Sequence, residues 1–376
     1  MRIIMGFALF TISEFCLFII NSLIKFKDEK KKRIFAGLMF FIMFVFAAIR
    51  GSGDADYYNY LWFVKDIGTD LGKVFNFSYA VEFGFRFFSY IINILGLSRQ
   101  WVIAIMNALS IFPVAYLSIK KSKDPFLSAI IFLPIFIQFD MQTARTASAI
   151  GLGLLSINFF AERKYIKSLL FFLFSFSFHR AAIILLPFLF FMAFEMGRPF
   201  KIVSAILAML VSVFSTLVFR LLATLLSSVG LARMATKINN YTFTGKFAQS
   251  MSLYDPRIIF ALALFVTTLM YFDKKSFGKN TIEETSIKAM WFSLLVLLVF
   301  RSSTAIAFRF STFFTVLQII YIPLVLDYIK NIDKLGRFLI ILAVLVFLIP
   351  YAIFLMAKAP AYDFFFTNLN AIYSLK

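Results

Sequence analysis

The sequence IFAGLMFFIMFVFAAI occupies residues 34–49 and contains no charged side chain. The basic cluster KFKDEKKKR (25–33) precedes it, and Arg50 follows it directly. A membrane-spanning helix needs about 20 mainly apolar residues, with about 17 as the lower limit. Residues 34–49 with their flanks therefore predict a transmembrane helix, and similar apolar runs recur along the whole chain.

The composition supports a membrane fold. Of the 376 residues, 61% are hydrophobic and only 15% are charged, whereas soluble domains average about 45–50% and about 25%. A soluble domain has too little interior to hide this excess. We predict an all-α integral membrane protein with about a dozen transmembrane helices, near residues 3–24, 34–49, 101–119, 126–140, 146–161, 166–178, 181–195, 202–219, 257–272, 288–302, 310–326 and 338–356.

Residues 1–376 are expected to form one polytopic membrane domain, because no repeat and no Pro- or Gly-rich linker divides the sequence. The first apolar run lacks a basic n-region and a small-residue cleavage site, so it is expected to be a retained helix. The single cysteine, Cys16, excludes an intramolecular disulfide and a Cys-based metal site.

The formal net charge of +19 comes from short basic clusters between the apolar runs. This arrangement indicates topology signals and anionic lipid rather than nucleic acid. Alternation of the predicted spans places all these clusters in the cytoplasm and both termini outside it. The clusters occupy residues 25–33, 120–123, 163–167, 198–201, 273–279 and 330–337.

Residues 78–97 are predicted to form a re-entrant or interfacial helix. Counting 82–97 as a full span would place basic clusters on opposite sides of the membrane. Glu82 and Arg86 lie four residues apart, on one helix face. The larger outer loops are then expected near residues 50–100 and 220–256.

Under this topology most lysines lie in the cytoplasm and most arginines lie outside, although basic residues normally stay inside. The guanidinium group is a rigid planar fork of donors that binds phosphate through paired hydrogen bonds. The outer face is therefore predicted to hold a phosphate-bearing ligand.

Ionisable residues at helix ends near the bilayer are candidates for a functional site. They lie mainly in the stretches IRGSGDADYYNY (49–60), VEFGFRFF (81–88), DMQTARTASA (140–149) and FHRAAIILLP (178–187). The predicted catalytic residues are His179, Asp54, Asp56 and Arg145. The candidates for binding a diphosphate or glycan are Arg50, Arg145, Arg301, Arg309, Glu82, Arg86, Tyr57, Tyr60, Gln142, Arg180 and Arg257.

Simpler structural roles stay open for these residues. Arg50 could extend to the interface, Arg145 could pair with Asp140, and the tyrosines could form an aromatic belt. Asp54 and Asp56 form a D-x-D pattern, which elsewhere holds a divalent metal, but pairing with an Arg or action on a hydroxyl is favoured. One His cannot build a His-based zinc site, so no metal is predicted. Small residues after Arg145, including Gly151, predict close helix packing.

These motifs, in this order, resemble the EpsG-type, Wzy-like polysaccharide polymerases. The resemblance is strongest over residues 34–190. Thr146 stands where the family usually has Gln, although Gln142 lies one turn away. The residues that match the family's motifs are Arg50, Asp54, Glu82, Gly84, Phe85, Arg145, Phe178, His179 and Ala182.

The resemblance implies a GT-C-like membrane glycosyltransferase that polymerises O-antigen or exopolysaccharide. Such an enzyme moves a glycan from undecaprenyl diphosphate onto another lipid-linked repeat unit at the periplasmic face. The implied partners are this lipid-linked glycan and the bilayer, with a chain-length regulator as a candidate; no nucleic acid and no cofactor is expected. The sequence contains no P-loop, no H-E-x-x-H and no paired Cys ligands, which argues against ATP-driven work and against a zinc protease.

The hypothesis for the mechanism of this transfer is that arginines stabilise the leaving diphosphate and that a base accepts the proton of the acceptor hydroxyl. Arg145, Arg309, Arg50 and Arg301 are candidates to stabilise the negative charge that grows on the leaving diphosphate. His179, or one of Asp54 and Asp56, is the candidate base for the acceptor hydroxyl. An O-antigen ligase and a flippase or transporter of lipid-linked oligosaccharide remain alternatives; internal repeats, which many transporters show, are not visible.

Overall fold

The computed structural model describes residues 2–24, 26, 28–51, 56–244, 248–272, 281–330, 332–358 and 362–367. Within these residues the protein is helical, and the only β-type pairing is one isolated bridge between Arg50 and Phe364. Short π-helical turns occupy Phe136–Asp140 and Asn240–Thr244, and 3-10 turns occupy Arg180–Ile184 and Phe365–Thr367. The α-helices are α1 Arg2–Leu23, α2 Glu29–Ala48, α3 Tyr57–Ile67, α4 Leu71–Phe75, α5 Phe83–Ile94, α6 Trp101–Lys121, α7 Pro125–Ile135, α8 Ala144–Ala161, α9 Tyr165–Phe178, α10 Leu185–Met192, α11 Arg198–Val213, α12 Ser215–Ser228, α13 Ala232–Asn239, α14 Pro256–Tyr271, α15 Ile282–Val299, α16 Thr304–Thr315, α17 Gln318–Ile329 and α18 Lys334–Lys358.

Every apolar run that the sequence predicts as a span contains helix. Among the described residues, α6, α8 and α18 are each long and apolar enough to cross a membrane. The bent pairs α11–α12 and α16–α17 raise this number to five if each pair is one span. The all-α class is therefore confirmed, and the apolar helices indicate a membrane protein. A total of about a dozen spans stays a prediction.

The chain forms two compact units. The first comprises Met1–Ile183 and Ile319–Lys376, and the second comprises Ile184–Gln318. Helix α8 lies at the centre of the first unit, because most of its residues are buried between α6 and α9. Ser148 Oγ donates to Met106 O of α6 at 2.9 Å, and Ser175 Oγ of α9 donates to Ala149 O at 2.6 Å. Serine hydroxyls thus hold three apolar helices together.

Gly151 sets the contact between α8 and α6. A Cβ atom at this position would lie 2.5 Å from Leu109 O and 2.7 Å from Ser110 Cα. Only a residue without a side chain permits two helix backbones to approach so closely. The close helix packing predicted around Gly151 is therefore confirmed.

Two basic clusters of the first unit lie at the same end of their helices. Lys121 Nζ at the end of α6 lies 3.0 Å from Glu162 Oε1 after α8, and Lys164 Nζ lies 2.7 Å from Glu162 Oε2. The hydrogen bond from Lys164 and that from Lys121 hold the pKa of Glu162 below its ordinary value. Clusters 120–123 and 163–167 thus share one side, as the predicted orientation requires. That this side is cytoplasmic stays a prediction.

Two predicted spans are not continuous helices. The run 202–219 is interrupted where α11 ends at Val213 and α12 begins at Ser215, and the run 310–326 is interrupted between Thr315 and Gln318. In α17, Pro323 has no N–H for the carbonyl of Ile319. Ser128 Oγ of α7 lies 2.6 Å from that carbonyl and can donate to it instead. Hydropathy counts apolar residues, so it did not detect either break.

The substitution Gly151→Ala tests the α6–α8 contact. The added methyl group would meet backbone atoms, and overpacking of this kind costs about 1–3 kcal/mol. We expect a loss of that size in the free energy of unfolding in detergent. Gly37→Ala in α2 is the matched control, because its nearest neighbour, Ile119 Cδ1, lies at 3.7 Å. Equal effects of the two substitutions would contradict the close contact.

Candidate functional site

An ion pair between Arg145 and Glu82 forms the centre of the candidate site. Arg145 lies in the first turn of α8, and its Nη1 donates to Glu82 Oε2 at 2.7 Å. Glu82 is the N-cap residue of α5, where a negative charge is favourable. The two side chains are 23% and 15% exposed, so the pair is partly withdrawn from solvent. The partner of Arg145 is therefore Glu82, and not Asp140 as the alternative supposed.

Asp56 and Tyr60, from the first stretch, lie beside this ion pair. We call the four residues Asp56, Tyr60, Glu82 and Arg145 the Arg145 cluster. The guanidinium carbon of Arg145 lies 5.7 Å from the centre of the Tyr60 ring, in cation–π geometry. Tyr60 Oη donates to Asp56 Oδ2 at 3.4 Å, and Asp56 adds Coulombic attraction to the Arg145 charge. Three separate stretches of sequence thus meet at one guanidinium group. Asp54 lies outside the described residues.

Gly84 joins the fourth stretch to this cluster. A Cβ atom on Gly84 would lie 2.7 Å from Ser177 Oγ and 2.9 Å from the Phe178 ring. The first turn of α5 therefore packs directly on the end of α9, immediately before His179. The packing explains why glycine follows Glu82 by two residues.

His179 ends α9 in an extended conformation, and its Nδ1 accepts a hydrogen bond from Ala181 N at 3.0 Å. A neutral imidazole has one accepting and one donating nitrogen. This hydrogen bond therefore assigns the proton to Nε2. In that state Nδ1 already accepts a hydrogen bond and Nε2 can donate one, so neither nitrogen is placed to take up a proton. The geometry thus favours Asp56 over His179 as the base.

Arg50 is buried, with only 2% of its surface exposed. Its Nη1 donates to the backbone carbonyl of Asp140 at 2.7 Å, in the π-helical turn that ends α7. Gln142 follows in the turn before α8; it is partly exposed and makes no hydrogen bond to another described residue. Arg50 therefore connects the end of α2 to the segment that leads into Arg145.

A C-terminal strap, residues 362–367, holds the backbone around Arg50. Gly51 N donates to Asp363 O at 2.5 Å, and Phe365 N donates to Ile49 O at 3.0 Å. A Cβ on Gly51 would lie 2.9 Å from the backbone of Phe364, so glycine is needed for this approach. The strap therefore lies on the same side of the first unit as Arg50.

Gln100 is a positioning residue that the sequence interpretation missed. Its Nε2 donates to the carbonyls of Ala48 and Arg50 at 2.8 and 2.9 Å, and its Oε1 accepts from Tyr57 Oη at 2.7 Å. One buried amide thus clamps both ends of segment 51–56, which carries the acidic residues. A glutamine directly before an apolar helix is ordinary in sequence, and only its three contacts reveal this role.

The other two candidate arginines of the first unit, Arg86 and Arg180, differ in their hydrogen bonds. Arg86 is buried, and its Nη1 donates to the carbonyls of Lys73 and Asn76. Its role in the structure is therefore to hold the turn after α4. Arg180 is exposed and makes no hydrogen bond or ion pair with another described residue, and its charge acts on Arg86. Of these two, Arg180 is the one whose donors are available to a ligand.

In the second unit, Arg301 is bonded to backbone. Its Nη1 donates to Met251 O and its Nη2 to Ser212 O, both at 2.9 Å. Arg309, by contrast, lies 6.0 Å from the Tyr241 ring centre and forms no hydrogen bond or ion pair with a described residue. Among these two predicted phosphate ligands, Arg309 therefore has more donors available.

Arg257 forms a two-point contact with Asp255, with Nε–Oδ1 and Nη2–Oδ2 distances of 2.8 and 2.7 Å. Burial opposes the charged carboxylate, but the hydrogen bonds from Arg257 outweigh it and lower the pKa of Asp255. Asp255 also caps α14 through Arg257 N. This pair therefore fixes the start of α14.

The helices and the ionisable cluster at their ends define a membrane protein of the all-helical class. More particularly, the chain belongs to the EpsG family, whose model matches residues 33–369. The resemblance read from the four motif stretches is thereby confirmed. Searches of curated proteins and of solved structures give no match.

Replacement of Gln100 by Leu tests the clamp. The substitution keeps the volume but leaves two carbonyls and the Tyr57 hydroxyl without their partner, at a cost on the order of 3 kcal/mol. We expect a corresponding loss in the free energy of unfolding, with a smaller loss for Tyr57→Phe, which removes one of the three bonds. Wild-type stability of Gln100→Leu would show that the clamp is not made.

Proposed function

We propose that this protein joins undecaprenyl-diphosphate-linked repeat units into O-antigen or exopolysaccharide at the periplasmic face of the bacterial inner membrane. The EpsG family itself is associated with membrane polysaccharide polymerase activity. The observation that carries the proposal is the Arg145 cluster, in which a guanidinium group, two carboxylates and a tyrosine from three motif stretches meet. The fourth motif stretch packs on it through Gly84.

The reaction breaks the bond between the anomeric carbon of the donor glycan and its diphosphate, and forms a bond from that carbon to an acceptor hydroxyl. The hydroxyl proton passes to a base, and the lipid diphosphate leaves with its electron pair. Arg145 is held by the hydrogen bond from Nη1 to Glu82, and its side chain is 23% exposed. A donor held ready in this way stabilises charge in the transition state without reorganisation.

The acidic residues then have distinct roles. Glu82 holds Arg145 in place, and Asp56 is the proposed base for the acceptor hydroxyl. His179 donates from Nε2 to a substrate oxygen, and Arg180 supplies a further cationic contact to the diphosphate or glycan. Base catalysis contributes about 10²–10⁴-fold, so loss of Asp56 should slow transfer without abolishing binding.

Deletion of the gene tests the function itself. We expect the strain to accumulate a single lipid-linked repeat unit and, where lipid A core is the final acceptor, core that carries one unit. Bare core in the same gel would indicate the ligase alternative. Failure of labelled repeat units to reach the periplasm would indicate the flippase alternative.

Variants at Arg145 test its contribution. Loss of one preorganised donor at a developing anion costs about 10²–10³-fold in rate, so Arg145→Ala should eliminate long chains at normal protein levels. Arg145→Lys should restore them poorly, because an ammonium group lacks the planar fork. Arg198→Ala is the control, since Arg198 is exposed at the start of α11. Long chains made by Arg145→Ala would remove this residue from the mechanism.

Two substitutions of His179 separate its possible roles. The amide of Gln places a donor near the Nε2 position, whereas that of Asn replaces only the Nδ1 acceptor. If His179 donates to substrate, chain length should be partly retained in His179→Gln and lost in His179→Asn, as read on the polysaccharide gel. Equal loss in both variants would instead support His179 as the base.

A further inference from the structure

Helix α12 of the second unit turns sharply away from the helix before it. The axes of α11 and α12 differ by 77°. A side chain from outside α11 supports the turn, because Arg301 Nη2 donates to Ser212 O at the end of α11. Helix α11 exposes the apolar side chains of Val203, Leu207 and Leu210, as a lipid-facing helix does.

The side chains of α12 form rows that repeat every four residues, and each row has its own environment. One row is buried against the second unit, where Phe219 lies 5.7 Å from Phe300 between ring centres. The next row is exposed and polar, and the two rows after it are mostly exposed and apolar. In this order the rows are Ser215, Phe219 and Ala223; Thr216, Arg220 and Thr224; Leu217, Leu221 and Leu225; and Val218, Leu222 and Leu226.

The different environments of these rows exclude two simpler placements of α12, one in water and one across the membrane. A helix in water would not leave Leu217, Leu221 and Leu225 between 55% and 63% exposed in a single row. A helix crossing the hydrocarbon would not direct the row of Thr216, Arg220 and Thr224 outward. One face on protein, one in water and one in lipid is the pattern of a helix that lies in the membrane interface.

We propose that α12 lies in the plane of the outer leaflet, with the row Leu217, Leu221 and Leu225 inserted among the lipid acyl chains. The exposed apolar rows of α12 are therefore covered by lipid, which is continuous with the lipid that covers α11. The row with Arg220 faces the headgroups and the water beyond them.

An interfacial position of α12 also fixes the position of the turn Asn240–Thr244. The guanidinium carbon of Arg220 lies 5.5 Å from the ring centre of Phe243, and that of Arg309 lies 6.0 Å from the ring centre of Tyr241. Both rings belong to the π-helical turn Asn240–Thr244. An interfacial α12 therefore holds this turn at the height of the lipid headgroups.

Spin labels on single cysteines test the depth of α12. Cys16 is exposed and is first replaced by Ser; the protein is then reconstituted into liposomes. Labels at positions 217, 221 and 225 should collide with oxygen and lie at one common depth. Labels at 216 and 224 should collide with a water-soluble nickel chelate. Labels at 203, 207 and 210 of α11 are the control, because their depth should change by roughly 10 Å over seven residues.

Two results of this experiment would overturn the proposal. A depth that increases steadily from 217 to 225 would show that α12 continues across the bilayer. Immobile labels shielded from both reagents would show that protein, such as a second copy of the chain, covers the leucine row.

A membrane-impermeant maleimide tests the side of the membrane. With Cys16→Ser as background, Thr224→Cys should react in intact spheroplasts, as an outer placement requires. Reaction only after the membrane is permeabilised would place α12 on the cytoplasmic side. Because this measurement needs no polysaccharide, its failure is distinguishable from failure of the proposed polymerase activity.

Discussion

The ion pair between Arg145 and Glu82 is the interaction on which the candidate site depends. Each charge is partly buried, so removal of either would leave the other without its ion-pair partner. The 2.7 Å contact also joins two elements, the first turn of α8 and the start of α5. Gly151 permits α8 to pack closely against α6, so the guanidinium group of Arg145 is carried on a helix that has little freedom to shift. Rigid support of this kind is what electrostatic catalysis requires.

Around this pair, hydrogen bonds hold the chain before and after the acidic segment. Gln100 binds the chain on both sides of residues 51–56, and the C-terminal strap adds backbone hydrogen bonds to Ile49 and Gly51. Arg50 then ties the same region to the carbonyl of Asp140. The site is therefore assembled from segments that are far apart in sequence, including the end of the chain.

The helical class, most helix positions and the family could be predicted from the sequence, because apolar runs and motif order are local patterns. The pairing of Arg145 with Glu82 could not, since residues 63 positions apart carry no sign of their contact. Hydropathy likewise missed the break at Phe214, where the guanidinium group of the distant Arg301 binds the end of α11. In the sequence, Arg301 and Arg309 are equally good candidates for phosphate binding. Only the structure shows that the donors of Arg301 are bonded to backbone carbonyls, whereas those of Arg309 are available.

The most direct measurement is polymerisation by the purified protein in lipid nanodiscs. The only substrate supplied would be the lipid-diphosphate-linked repeat unit isolated from a deletion strain, without ATP or nucleotide sugar. We predict a ladder of products that grow by one repeat unit, with one lipid diphosphate released for each bond formed. Absence of a ladder from folded protein, or transfer only after a lipid A core acceptor is added, would contradict this account.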